Sequence, residues 1–72
     1  MPYNLRHLRV FLAVAETHSV TRAAELCFVS QPAVTQALGK IASLAGATLF
    51  SRTPQGLYVT EAGETLACRV RR

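Results

Sequence analysis

Between Gly46 and Thr60 the apolar residues of this chain stop recurring at steps of three and four and gather into short runs. No other feature constrains the fold as tightly. A helix buries one face through a period of 3.6 residues and a strand through a period of 2, so one segment cannot serve both patterns. The chain therefore divides into a helical part before Gly46 and a hairpin soon after it.

Three helices are expected before the change. The first runs from about Asn4 to His18, with Asn4 as N-cap and Leu5, Leu8, Phe11, Leu12 and Ala15 along one face, while His7 and Arg9 fall away from that stripe. Its run Val10 to Ala15 is bracketed by Arg9 and Glu16 and is too short to span a bilayer, so it reads as the buried part of the helix. The second starts at the N-cap Ser19 and sets Val20, Ala23, Ala24 and Cys27 at helical spacing, the alanines permitting close helix approach. It ends near Phe28 and Val29, two bulky residues expected to pack the turn into the core.

Ser30 caps the third helix, and Pro32 sits in its first turn, where a missing N–H costs nothing. Val34, Leu38 and Ile41 form its buried stripe, which Leu44 or Ala45 extends. Thr35 and Gln36 lie outside the stripe, and Gln31, Ala33 and Lys40 can also reach outward. Gly39 weakens the helix and Gly46 ends it.

Beyond it, Leu49 to Arg52 and Leu57 to Val59 read as two short strands around a Thr53-Pro54-Gln55-Gly56 turn. Thr60 then caps a fourth helix, with Glu61 at its positive end and Ala62, Leu66 and Val70 as its apolar stripe, continuing to Arg72. The expected fold class is mainly α: a three-helix core, a small two-stranded hairpin and the start of a further helix.

Composition narrows what such a fold does. A chain of 72 residues is one small domain, marginal by itself, and half of its residues are hydrophobic. A net charge of +4 suits an anionic partner. Cys27 and Cys68 are far apart and no secretory signal precedes them, so a disulfide framework is not expected and a reducing cytoplasm is. Cys27 on the second helix reads as a packed core residue. His7, His18, Cys27 and Cys68 lack metal-ligand spacing, and the scattered acidic residues form no nucleophile, base and orienter set. Catalysis, a metal and a cofactor are therefore not expected, and neither is a membrane partner.

Two helices joined by a short turn, the third polar on its exposed N-terminal face, followed by a hairpin and a helix, is the order of a winged helix-turn-helix. The chemistry suits B-DNA: a helix fits the major groove, Gln and Thr hydrogen-bond base edges, and Ala touches the thymine methyl. First-turn amides favour a nearby phosphate. A hairpin carrying a basic residue can lie along the backbone or in the minor groove.

Four blocks raise this to a family resemblance: Ser19-Val20-Thr21-Arg22-Ala23-Ala24-Glu25, Val29-Ser30-Gln31-Pro32-Ala33-Val34-Thr35, Leu49-Phe50-Ser51-Arg52-Thr53, and Leu57-Tyr58-Val59-Thr60-Glu61-Ala62-Gly63. In order and spacing they resemble the N-terminal DNA reader of LysR-type transcription regulators. The resemblance implies a winged helix-turn-helix over residues 1–59 and the truncated start of a linker or dimerisation helix over 60–72. It implies a recognition helix at about 30–45 and a wing at about 49–59. Gln31, Pro32, Thr35 and Gln36 then read the major groove from the cap Ser30 onward, Ser19, Thr21 and Arg22 lie near phosphates, and Arg52 is the wing arginine. The implied partners are double-stranded promoter DNA and, in a full-length form, a second copy paired through an extended linker helix; a small-molecule effector follows only with a C-terminal sensor domain. The implied location is the cytoplasm, at the nucleoid. The sequence departs from the family at Ala42, where a glutamate is common, and at Leu44-Ala45, where a leucine usually precedes the glycine directly. A second reading of the same residues is a truncated interaction module that heterodimerises with a full-length regulator.

Overall fold

The computed structural model describes residues 3–71. Its elements are α1 (Leu5–Thr17), α2 (Val20–Cys27), α3 (Gln31–Ala45), β1 (Phe50–Thr53), β2 (Gly56–Val59) and α4 (Glu61–Arg71). Arg72, where the fourth helix was expected to stop, lies outside the described residues.

Each early helix begins on a side-chain cap. Asn4 accepts from the Arg6 amide at 2.8 Å, Ser19 from Arg22 at 3.1 Å and Ser30 from Ala33 at 3.2 Å, satisfying donors that the first turn cannot pair. Each ends on a left-handed residue: His18, Phe28 and Gly46, at φ 60°, 57° and 68°. At the end of α2 the Phe28 amide bonds Glu25 O and the Val29 amide bonds Ala24 O, the two-bond Schellman closure.

That closure corrects one expectation. Val29 packs against the core, but Phe28 is 94% exposed. The left-handed residue swings its side chain outward, and the next residue returns to touch the helix, here Val29 over Ala24.

The core has two lobes. Val10, Val14, Ala23, Ala24, Val34 and Ala37 fill the one among the three helices. Leu8, Phe11, Ile41, Leu49 and Ala67 fill the other, where α4 and the root of the hairpin close on α1 and α3. The first helix is therefore buried on two sides, and Leu5, placed in its stripe by spacing, is 74% exposed because it lies in the first turn, beyond both lobes. Leu44 and Ala45 are likewise exposed: the buried row of α3 ends at Ile41, with Ala42 half-buried beside it.

Strands β1 and β2 pair antiparallel, with Phe50 opposite Val59, Ser51 opposite Tyr58, Arg52 opposite Leu57 and Thr53 opposite Gly56. The observed strands sit about one residue from the expected ones at the turn, and Pro54-Gln55 makes the loop. At the hairpin's exit the Thr60 hydroxyl donates to Thr48 O at 2.6 Å and accepts from the Gly63 amide at 3.1 Å. Gly63 is buried there, and a Cβ on it would overlap the Leu49 carbonyl oxygen, so α4 is seated directly on backbone. Ala67 completes its buried row, with Ala62, Leu66 and Val70 half-buried alongside. A three-helix core, a two-stranded hairpin and a closing helix make this a winged helix-turn-helix, mainly α.

Candidate nucleic-acid interface

The core contains no buried polar or charged side chain among the described residues. Polar chemistry is confined to the surface, and it is concentrated where three elements converge. The N-terminus of α2, the first two turns of α3 and the hairpin enclose an open cleft of about 570 Å³. Ser19 and Thr21 line it from α2, Gln31 and Thr35 from α3, and Arg52 from the hairpin. Five expected residues, from three separated sequence blocks, thus share one cleft.

Local folding explains their poses. The Ser19 oxygen accepts the Arg22 amide, yet a hydroxyl that accepts can still donate its own proton to an anion. Helix geometry leaves the Val20 and Thr21 amides without an intrahelical acceptor at the positive end of α2. In α3, Ser30 caps Ala33 in the same way, and Pro32 contributes no N–H. The Thr35 hydroxyl donates to Gln31 O at 3.3 Å, and its oxygen keeps its lone pairs as acceptors. Gln31, Pro32, Thr35 and Gln36 are all exposed, as are Arg22, Ser30 and Arg52.

The remaining expected residues lie elsewhere. Gln36 lines a separate, smaller groove of about 180 Å³ with Arg6, His7 and Ala33, between α1 and α3. Arg22 and Ser30 line neither this groove nor the polar cleft. Among the lining residues that sequence reading did not place in the polar cleft are His18, Pro54 and Gln55. The proline and glutamine were legible only as turn residues. His18 was legible only as a helix end, because the contact that brings it to the cleft spans 39 residues. Arg6 escaped notice because nothing in the pattern of the first helix ties its N-terminal turn to Gln36.

A third groove, of about 320 Å³, runs between α3 and the hairpin. Gly39 and Ala42 line it from α3, and Arg52 and Leu57 from the hairpin. Ala42 packs against the second core lobe and offers Arg52 no carboxylate. Among the described residues no group of three or more His, Cys, Asp or Glu is placed to hold a metal, and no helix is long and apolar enough to cross a membrane.

Known proteins share this fold. The family model described as a bacterial regulatory helix-turn-helix protein of the lysR family matches residues 5–64. The chain is 47% identical over 60 residues to the HTH-type transcriptional regulator YdcI of Escherichia coli (strain K12), covering 83% of this chain and 20% of that protein. It is 41% identical over 69 residues to the HTH-type transcriptional regulator BudR of Klebsiella aerogenes, covering 92% of this chain and 48% of that one. The chain thus spans less than half the length of either relative. The crystal structure of the CbnR DNA-binding domain in complex with DNA superposes with a TM-score of 0.89 at 33% identity, over 96% of this chain and 79% of that one. With caps, hairpin, polar cleft and a family match running from Leu5 to Glu64, this chain belongs to the lysR family of bacterial regulatory helix-turn-helix proteins.

Proposed function

We propose that this chain reads double-stranded promoter DNA, with the N-terminal half of α3 in the major groove and the hairpin along the backbone or the adjacent minor groove. The observation that carries the reading is the polar cleft, in which Ser19, Thr21, Gln31, Thr35 and Arg52 converge from three elements. A duplex seated there would set a phosphate against the start of α2 and bases against α3. Gln31, Thr35 and Gln36 contact base edges through the donor and acceptor chemistry of amides and hydroxyls, and Pro32 through the apolar face of its ring. Ser19, Thr21 and Arg22 hold phosphates, Ser30 orders the end of α3, and Arg52 anchors the wing. The CbnR domain, with the same fold, forms a complex with DNA, which supports the assignment.

In a longer protein, an extended α4 would pair two copies and set two recognition helices about one DNA turn apart, roughly 34–36 Å. A small-molecule effector would act through a further domain, in a cytoplasmic protein working at the nucleoid and without catalytic activity of its own. The interaction-module alternative draws no support from these relatives.

Selection of duplexes from a random pool tests the reading. A defined sequence preference and retarded mobility of the enriched duplex are expected. A chain that enriches no sequence and retards no duplex overturns it.

A further inference from the structure

One residue outside the recognised blocks holds the hairpin to the helical body. His18 ends α1 at φ 60°, and from there it meets β2 in three ways. Its carbonyl oxygen accepts the Leu57 amide at 2.9 Å. Its ring Nδ1 lies 3.0 Å from the Leu57 carbonyl oxygen. A carbonyl oxygen can only accept, so the proton sits on Nδ1. The imidazole face also stacks on the Tyr58 ring, with centroids 3.9 Å apart and planes 17° from parallel. Closeness is secured from the other side by Gly56, at φ 130°, where a Cβ would overlap the same His18 carbonyl oxygen.

The register gives this contact its consequence. Leu57 lies directly opposite Arg52. Thr53 and Gly56 close a two-residue loop, so Arg52 and Leu57 form the next pair, whose backbone groups point out of the ladder. His18 takes both outward groups of Leu57 and so finishes an edge that would otherwise be bare. Resting on the wing contact assigned above to Arg52, we propose that His18, through Leu57 and Tyr58, is a positioning residue that fixes where Arg52 meets the DNA backbone. The wing's pose is then set by a residue that touches no base and lies outside the recognition helix.

A glycine at position 18 separates positioning from folding. It accepts the left-handed conformation at no steric cost and keeps the carbonyl bond to Leu57, while removing the ring bond and the stack. The probe is a 30-base-pair random-sequence duplex, and the readout is the slope of log affinity against log salt. Arg52→Ala is expected to lower the slope by about 0.9, the contribution of one phosphate. His18→Gly and Tyr58→Ala are expected to lower it by a similar amount, Tyr58→Phe to keep the wild-type slope, and His18→Gly to add nothing in an Arg52→Ala background. Thermal denaturation accompanies each variant, with His18→Gly expected to unfold within a few degrees of wild type. An unchanged slope in His18→Gly, beside a lowered one in Arg52→Ala, overturns the positioning role alone. An unchanged slope in Arg52→Ala overturns the wing contact and the positioning role with it. Equal, additive losses from His18→Gly with and without Arg52 also overturn the positioning role.

Discussion

The ring of Phe50, at the root of the hairpin, meets the ring of Phe11 edge-on, with centroids 5.4 Å apart and planes at 61°. Phe11 is fully buried and Phe50 half-buried, so the first strand is nailed to the first helix through the second core lobe. The edge-to-face geometry contributes about 0.5–1.5 kcal/mol beyond the area it covers. A domain of this size has a total stability of roughly 4–11 kcal/mol. Phe11→Ala, costing about 3–5 kcal/mol, is therefore expected to leave the chain marginal or unfolded. Phe50→Leu keeps most of the buried area and is expected to cost about 1–2 kcal/mol. Urea denaturation followed by circular dichroism ranks the two; equal midpoints would contradict the asymmetry of burial.

Two glycines in helices are expected to respond in opposite directions to alanine. At Gly39 an added Cβ meets nothing within 4 Å, and the residue is exposed, so Gly39→Ala should stabilise α3 by about 0.5–1 kcal/mol. At Gly63 the Cβ would strike the Leu49 carbonyl oxygen, and backbone cannot rotate aside. Gly63→Ala should cost about 1–3 kcal/mol despite its better helix propensity. Melting temperatures of the two variants, one above and one below wild type, check both contacts.

Specificity and affinity should separate between α3 and the hairpin. Gln36→Ala is expected to relax preference at one or two base positions, at a cost of about 1–3 kcal/mol on the correct site. Arg52→Ala should weaken binding to all duplexes more evenly, because backbone contacts position a protein without reading sequence. Sequence logos selected by the two variants and by wild type make the comparison. An unaltered logo for Gln36→Ala would remove Gln36 from the reading surface and leave it as a lining residue of the separate groove it shares with Arg6.

Cys27 packs half-buried against the first core lobe. Cys27→Ser is expected to destabilise by about 1–3 kcal/mol where its hydroxyl finds no partner. Cys27→Ala should cost less, and folded Cys27→Ala should bind DNA as wild type does. Binding that depends on oxidant in wild type and loses that dependence in Cys27→Ala would replace the packing role with a redox one.

Much of the fold was legible because local chemistry and packing agree. Asn4, Ser19 and Ser30 cap where their side chains predicted, and Gly46 marks the change of period. Misplaced residues share a cause, since periodicity names a face without saying how far along the helix a neighbour extends. Leu5 and Leu44 lie past the ends of the two core lobes, and Val10 and Val14 face the lobe that a single stripe through Leu8 and Phe11 ignores. Phe28 occupies a left-handed cap position that usually calls for glycine, so its residue type carried no sign of the turn. In the candidate site, caps and first-turn polar residues were legible from one segment at a time. His18 was not, because its partners belong to a strand whose register is decided only when the hairpin folds.

Gly56 against the His18 carbonyl and Gly63 against that of Leu49 set backbone directly on backbone at the two ends of the hairpin, and the His18 ring adds its bond and stack beside the first of them. Because α1 packs on both β2 and α3, it ties the wing and α3 together as the two arms of a caliper. If the caliper keeps its opening, association with a duplex would order little chain, at an entropic cost close to that of docking a preformed rigid body. Such a caliper also measures. Stretches of DNA whose grooves already have the matching width fit without deformation, and stretches that must be widened or narrowed bind less well, at positions that no side chain touches.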